Sequence, residues 1–530
     1  MKPGRPVLTT ERRLGAGPAV GSGSRAEYRQ VAEIEGEGYV IRSELVGDPV
    51  AEPVPPRRAI AAVGHITDLH VTDAQSPARF EFVNREWEDP RFRELLTMQR
   101  PQETLNTHAI EAMVRTLNGI DAAPVTGRPL ELVAMTGDAI DNTQRNELAN
   151  FLALLDGGTV RPDSGAPGYE GVQMVDWPAD IWWKPDGPDG GDVFRRDLGF
   201  PIVPGLLERA VESFKAGGLG RRWLGCHGNH EAVCQGVGVV TPALAKGMTG
   251  SHKPLALPPD LDRDRAVEIF VEHPEIFMKG PSRNVTADPS RRPITRAEFV
   301  AAHHSAGGHG FTEDNLTRGT AYYVHDTAAV RFITLDTVCR AGGADGRIDA
   351  PQLYWLERRL EEAHSRFRSR DGSVVRTSHR DRLVVVLSHH GYDTLANPRA
   401  ERRADELLDL LLRFDNVVLW LNGHIHANRI TPRHDPGGGH GLWEVTTSAI
   451  VDWPCQGRLV ELFEAGDGML AIACTMVDHG GWVQGGTDDL LGLAGLHREL
   501  AANVPFNGFD SWRPGSPPDR NAILLRRAPF

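Results

Sequence analysis

Five short apolar runs, each ending abruptly in Gly, Asp, Asn or His, constrain this chain more than any other feature. They are AIAAVGHITDLH (59–70), ELVAMTGDAID (131–141), RRWLGCHGNHE (221–231), RLVVVLSHHG (382–391) and NVVLWLNGHIH (416–426). A run that is apolar on both faces and too short for a helix reads as a strand buried on both sides. Helical patterns fall between several of them, as in TLNTHAIEAMVRTLNGI (104–120), QLYWLERRLEEAHSRF (352–367) and RADELLDLLLRF (403–414). Strands alternating with helices predict an α/β sheet. Residues 319–337 read as strand, turn and strand, and 442–478 as a run of antiparallel strands. The expectation is therefore a second sheet packed on the first.

The chain has 530 residues, 40% of them hydrophobic, ample for a sizeable buried core. A net charge of −13 argues against general affinity for nucleic-acid backbones, which want a basic footprint. Five scattered cysteines without a CxxC pair read as reduced thiols rather than a disulfide framework. No stretch approaches the roughly 20 apolar residues of a membrane span. Arg12-Arg13 is followed by a polar stretch rather than the apolar segment of an export signal, so a cytoplasmic protein is expected. Residues 1–57 read as an N-terminal arm with one short strand around Tyr39–Ile41, residues 58–480 as the main domain, and 481–530 as a C-terminal extension. Segments at about 157–222 and 235–318 break the core rhythm and read as insertions.

Ligand sites in open α/β sheets lie at the carboxyl ends of strands. Here those ends deliver Asp68 and His70, Asp138, Asn229 and His230, His389 and His390, and His424 and His426. The set is rich in oxygen and imidazole and holds no thiolate, which suits Fe, Mn or Zn better than Mg or Ca. Residues i and i+2 on extended backbone point the same way, so Asp68 with His70, and His424 with His426, can address one cavity. An aspartate bridging two metals would hold them roughly 3.5–4 Å apart, suited to activating a water for in-line displacement.

In their order, TDLH, TGDAID, HGNHE, LSHHG and NGHIH resemble the signature of the calcineurin-like metallophosphoesterases, D-x-H, G-D, G-N-H-[DE], H and G-H-x-H. GRIDAPQLYWLERRL resembles the Gln-x-x-Trp-Leu helix of that family, and the long gaps between motifs are similar to those of a long-insert, actinobacterial-type subgroup. The resemblance implies a four-layer α/β/β/α sandwich with two mixed sheets; because both insertions arise beside ligand-bearing strand ends, they are expected to form a cap over the metal cleft. It implies two divalent or trivalent transition-metal ions (Mn, Fe or Zn). Asp68, His70 and His426 would hold one, Asn229, His389 and His424 the other, and Asp138 would bridge them. The implied reaction is hydrolysis of a small phosphomonoester or phosphodiester by a metal-bound hydroxide, with His230 as general acid. A non-catalytic scaffold of the same fold and a metal-dependent nuclease are the competing readings. Oligomeric state is open.

Further residues carry two readings each. The family pattern favours His389 over His390 as the ligand, leaving His390 to line the pocket. Asp141 and Asn142 either support ligands and substrate or cap the next helix. Glu231 either orients His230 or caps a helix start. His65 and His227 are expected to point away from the site, and His303, His304 and His309 to lie in a solvated loop or face the pocket. Trp177, Trp182 and Trp183 read as a lid or, preferentially, a small core within the insertion.

Overall fold

A computed structural model describes residues 6–47, 54–188, 190–505 and 507–530. Parts of the predicted arm (1–5 and 48–53), together with Asp189 and Phe506, lie outside the described residues.

The five apolar runs form strands distributed over two sheets. Arg58–Ile66, Leu132–Met135 and Trp223–Gly225 run parallel at one side of a seven-stranded sheet. Its order continues from Arg58–Ile66 through Gln456–Gly466, Met469–Asp478 and Ala522–Arg527 to Val40–Arg42. Leu383–Leu387 and Val417–Asn422 lie side by side and parallel in a six-stranded sheet. There they are flanked by Val330–Thr334 and Tyr323–Asp326 on one side, and by Leu442–Thr446 and Arg429–Arg433 on the other. The chain is thus a mixed α/β protein with mixed sheets. The strands after residue 442 divide between the sheets, because Leu442–Thr446 pairs with Val417–Asn422 while the next two pair with each other and with Arg58–Ile66.

One apolar core joins the sheets, with Val63, Val133 and Leu224 from the first and Val385, Leu419 and Val445 from the second. Helix Asn106–Asn118 adds Ile110, Met113, Val114 and Leu117 to it, and Arg145–Asp156 adds Leu148, Phe151 and Leu154. Helices Ala350–Glu361 and Ala404–Leu412 cover other residues of the six-stranded sheet through Leu356, Leu360, Leu407 and Leu411.

The segments outside the rhythm are ordered by cores of their own. Trp177 and Trp182 pack with Phe80, Phe82, Phe92, Phe270 and Phe277, so residues from 78–98 share one apolar cluster with both predicted insertions. Trp183 packs with Phe200 and Leu206 against Leu493 and Leu500 of helix Leu490–Ala502. In the predicted arm, Arg12–Ser22 and Glu27–Glu35 form a hairpin, and Val40–Arg42 pairs with Ala522–Arg527, tying both chain ends into one sheet. Among the described residues no helix is long and apolar enough to cross a membrane.

Candidate metal centre

The carboxyl ends of the parallel strands from both sheets converge. Beyond Ile66 the chain keeps its parallel partner, with Asp68 N–H donating to Gly137 O (3.1 Å) and His70 N–H to Asp138 O (3.0 Å). The backbone there is not the extended one that i, i+2 spacing presupposes. Asp68, His70, Asp138, His424 and His426 all have φ between 47° and 71°. Eleven non-glycine residues among those described have positive φ, and five of them are these. Each such residue costs on the order of 1–3 kcal/mol, and such strain gathers where function over-determines geometry. Neighbouring glycines make room for it. A Cβ on Gly137 (φ +99°) would stand 2.6 Å from His389 Nδ1, and one on Gly228 would collide with Asp138.

Two groups of donors lie back to back. In one, Asp68 Oδ1 faces His426 Nε2 at 3.3 Å and His70 Nε2 at 3.9 Å, and the two ring nitrogens stand 3.2 Å apart. In the other, His389 Nε2 and His424 Nδ1 are 3.3 Å apart. Asp138 lies between them, its Oδ2 at 3.1 Å from His389 Nε2 and 3.7 Å from His70 Nε2. Asn229 donates through Nδ2 to Gly236 O (3.0 Å), leaving Oδ1 buried with no partner. Asp68 Oδ1 likewise has no hydrogen bond, although Asp68 is fully buried.

Those features test whether metal ions fit the site. Unsatisfied buried oxygens cost about 1–3 kcal/mol each and call for a partner. Pairs of imidazole nitrogens facing each other at 3.2–3.3 Å are satisfied by a cation that accepts both lone pairs. The far nitrogen of three of the rings is already engaged: His70 Nδ1 on Asp141 Oδ1 (2.9 Å), His389 Nδ1 on Thr136 O (2.9 Å) and His426 Nδ1 on Asp452 Oδ2 (2.7 Å). That is the outer support metal-binding histidines have. The donor set fits.

Electrostatics agree. Burial works to raise Asp68, yet the neighbouring His426 and His70 rings, with the charge of His389, hold it well below the usual carboxylate range. Asp138 is held low in the same way, burial being outweighed by His389, His230 and His70. Burial works to lower His389, but Asp138 and Asp68 push it up to about 9. His424 is lowered to about 3, by burial and then by the charge of His389.

His230 donates from Nδ1 to Asp141 O (2.6 Å) and turns Nε2 toward Asp138 Oδ2 at 3.9 Å. Burial drives its pKa well below the ordinary value. Glu231 closes the capping box of the short turn Asn229–Glu231. Its carboxylate accepts the N–H groups of Gly228 (2.6 Å), Ile140 (3.0 Å) and Asp138 (3.1 Å), binding two motif loops together. Asp141 joins His70 to the buried Arg79 guanidinium. Asn142 donates from Nδ2 to Ala78 O (3.0 Å) and accepts the Gln235 N–H (3.0 Å). His390 is fixed by Thr337 Oγ1 and Ala344 O, both at 2.9 Å, and its ring lies 4.4 Å from that of His424.

The other candidate histidines have partners of their own. His65 sits between Thr136 and Thr447, and His227 beside Asp336. His303 bonds Phe299 O, His304 lies beside Glu313, and His309 stacks on Trp223 at 3.6 Å. Sequence reasoning missed Asp452, which accepts His426, Arg100 (2.9 Å) and Arg513 (2.6 Å). Only its place between an apolar run and Trp453-Pro454 marked it, and that signal is generic.

No family model matches the sequence, and no curated protein does. Among solved structures the chain is similar to a dimetal phosphatase from Danio rerio, at 11% identity and TM-score 0.38, over 79% of this chain and 99% of that one. It is also similar to GAP50, the anchor in the inner membrane complex of Plasmodium, at 9% identity and TM-score 0.24, over 84% and 95%. Likeness this distant leaves function to the geometry of the site.

Proposed function

We propose that this protein is a hydrolase of phosphomonoesters or phosphodiesters working with two transition-metal ions, Mn, Fe or Zn. One observation carries the reading: Asp138 Oδ2 stands between two groups of buried imidazole and carboxylate donors, within 3.1 Å of His389 and 3.7 Å of His70. Asp68, His70 and His426 would hold one ion, and Asn229, His389 and His424 the other, with Asp138 shared. Bound there, the ions supply Lewis acidity toward phosphoryl oxygens and a lowered pKa for the attacking water. The protein holds its imidazoles with the ring nitrogen that faces the centre free, by anchoring the opposite nitrogen of His70, His389 and His426 on oxygen. His230, its Nδ1 proton fixed on Asp141 O, aims Nε2 at the centre, from where, once protonated, it would serve the departing oxygen as general acid.

In this reading the helices flank the two sheets as outer layers of a four-layer sandwich, and the segments at 157–222 and 235–318 cap the cleft. The test is hydrolysis of chromogenic aryl phosphomonoester and phosphodiester by metal-supplied wild type and His230→Ala. General acid catalysis is worth about 10²–10⁴-fold, so kcat should fall by that factor with metal content unchanged. A variant as fast as wild type on both esters would remove His230 from the chemistry. No turnover by wild type on any phosphate ester would favour a scaffold.

A further inference from the structure

Around the centre the side chains of Asp68, His70, Asp138 and His389 are at most 2% exposed, whereas that of His426 is 10% and that of His230 18% exposed. The centre therefore opens to solvent beside His230 and His426, and two guanidinium groups border that opening. Arg513 Nη1 and Arg100 Nε hold the two oxygens of Asp452 at 2.6 and 2.9 Å, and Asp452 Oδ2 in turn holds His426 Nδ1 at 2.7 Å. Arg100 also lies near enough for its charge to be felt at His230. One carboxylate balances one of the two guanidinium charges, so the pair keeps an excess of one positive charge. Each arginine spends a single nitrogen on Asp452. Nη1 and Nη2 of Arg100, and Nε and Nη2 of Arg513, have no hydrogen-bond partner among the described residues, and none of the four is sealed from solvent. Both residues are held from the backbone, because Arg100 N–H donates to Glu103 Oε2 (3.1 Å) and Arg513 O accepts Asn428 N–H (2.9 Å).

We propose that Arg100 and Arg513 bind a second phosphoryl group of the substrate, so that the ester hydrolysed at this centre carries two phosphoryl groups, as a diphosphate or a bisphosphate. The inference rests on the hydrolytic reading of the centre and narrows its substrate class. A guanidinium group presents its N–H donors as a fork that matches phosphate oxygens two at a time. Two forks with unspent donors and an excess positive charge suit a dianionic group with three acceptor oxygens better than a carboxylate with two. Anchored backbones hold both forks in place before the substrate arrives, which lowers the ordering cost of binding. Neutralising Asp452 alone would need only one arginine donating from two nitrogens. Arg513 lies in the segment 481–530 that the sequence pattern set outside the main domain, so the C-terminal extension takes part in recognition.

Calorimetric titration of metal-loaded, full-length protein with methylenediphosphonate, phosphonoacetate and methylphosphonate tests this, because none of the three can be hydrolysed. Wild type should bind the diphosphonate about tenfold or more tightly than either of the others, the ratio that one charge-assisted hydrogen bond supplies. Arg100→Lys and Arg513→Lys keep a positive charge beside Asp452 but lose the fork, and either folded variant suffices. Each should lose about tenfold more affinity for methylenediphosphonate than for methylphosphonate. Equal affinity of wild type for all three ligands, or no binding of any, would overturn the proposal, and phosphonoacetate bound as tightly as the diphosphonate would overturn it in favour of a carboxylate. A diphosphonate preference undiminished in both variants would assign the second group to the metals, and an equal loss for diphosphonate and methylphosphonate would put the arginines on the scissile group; either result overturns the proposal. Binding is read without turnover, so failure to hydrolyse aryl phosphates would count against the centre, and failure to prefer the diphosphonate against this inference alone.

Discussion

Replacing Asp452 by Asn tests how far the centre depends on its surroundings. Asp452 is 2% exposed, and three cationic or polar groups converge on it: His426 Nδ1 and Arg513 Nη1 on Oδ2, and Arg100 Nε on Oδ1. Burial works to raise its pKa, but Arg100, Arg513 and His426 hold it well below the carboxylate range, so it serves as an anion. An asparagine keeps one acceptor and turns an NH₂ group on the remaining donor. Losing one charge-assisted bond and leaving two half-shielded guanidinium groups without their counter-charge should cost about 2–4 kcal/mol of stability. Loosening the support behind a metal-binding histidine costs about 10–100-fold in affinity. Calorimetric titration of stripped protein with Mn²⁺ should therefore show one of two ions weakened by that factor, alongside a lowered Tm. Wild-type affinity for both ions in Asp452→Asn would refute the role given to His426.

Other perturbations have defined outcomes. Gly228→Ala places a methyl group against Asp138 and should abolish metal uptake, measured by metal content after gel filtration; normal uptake would show that the two loops can separate. Acid should destabilise the fold through His108, His303 and His364, which burial lowers to about 4, 3 and 4. Their folded pKa values lie below the unfolded one of about 6.5, so the unfolded chain binds more protons below that pH. Their contribution is complete above pH 6.5 and fades as pH falls toward 4, by about 1.4 kcal/mol per pH unit per ring. Tm should drop between pH 7 and 5, less steeply in His303→Gln; a flat profile would contradict neutral burial.

The strands that carry the candidate residues were legible because burial on both faces leaves a continuous apolar run, and Leu383–Leu387 or Val417–Asn422 is such a run. The convergence of Asp68, His70, Asp138, His389, His424 and His426 was legible because each follows such a run in the chain. The route was not. The i, i+2 argument supposed extended backbone, whereas left-handed turns at Asp68, His70, His424 and His426 aim these side chains. The division of the later strands between two sheets depends on pairings distant in sequence, such as Arg458 with His65, that no local pattern encodes. Asp452, Arg79 and Arg513 stayed hidden for the same reason, since their meaning comes only from what the fold places beside them.

The central claim is two metal ions sharing Asp138, and the most direct measurement is metal content together with phosphate-ester hydrolysis, for wild type and Asp138→Asn. Supplied with Mn, Fe or Zn in turn, wild type should hold two ions in the Asp138 centre and hydrolyse an aryl phosphate, while the folded variant should lose both properties. Undiminished metal content and hydrolysis in Asp138→Asn would contradict the account.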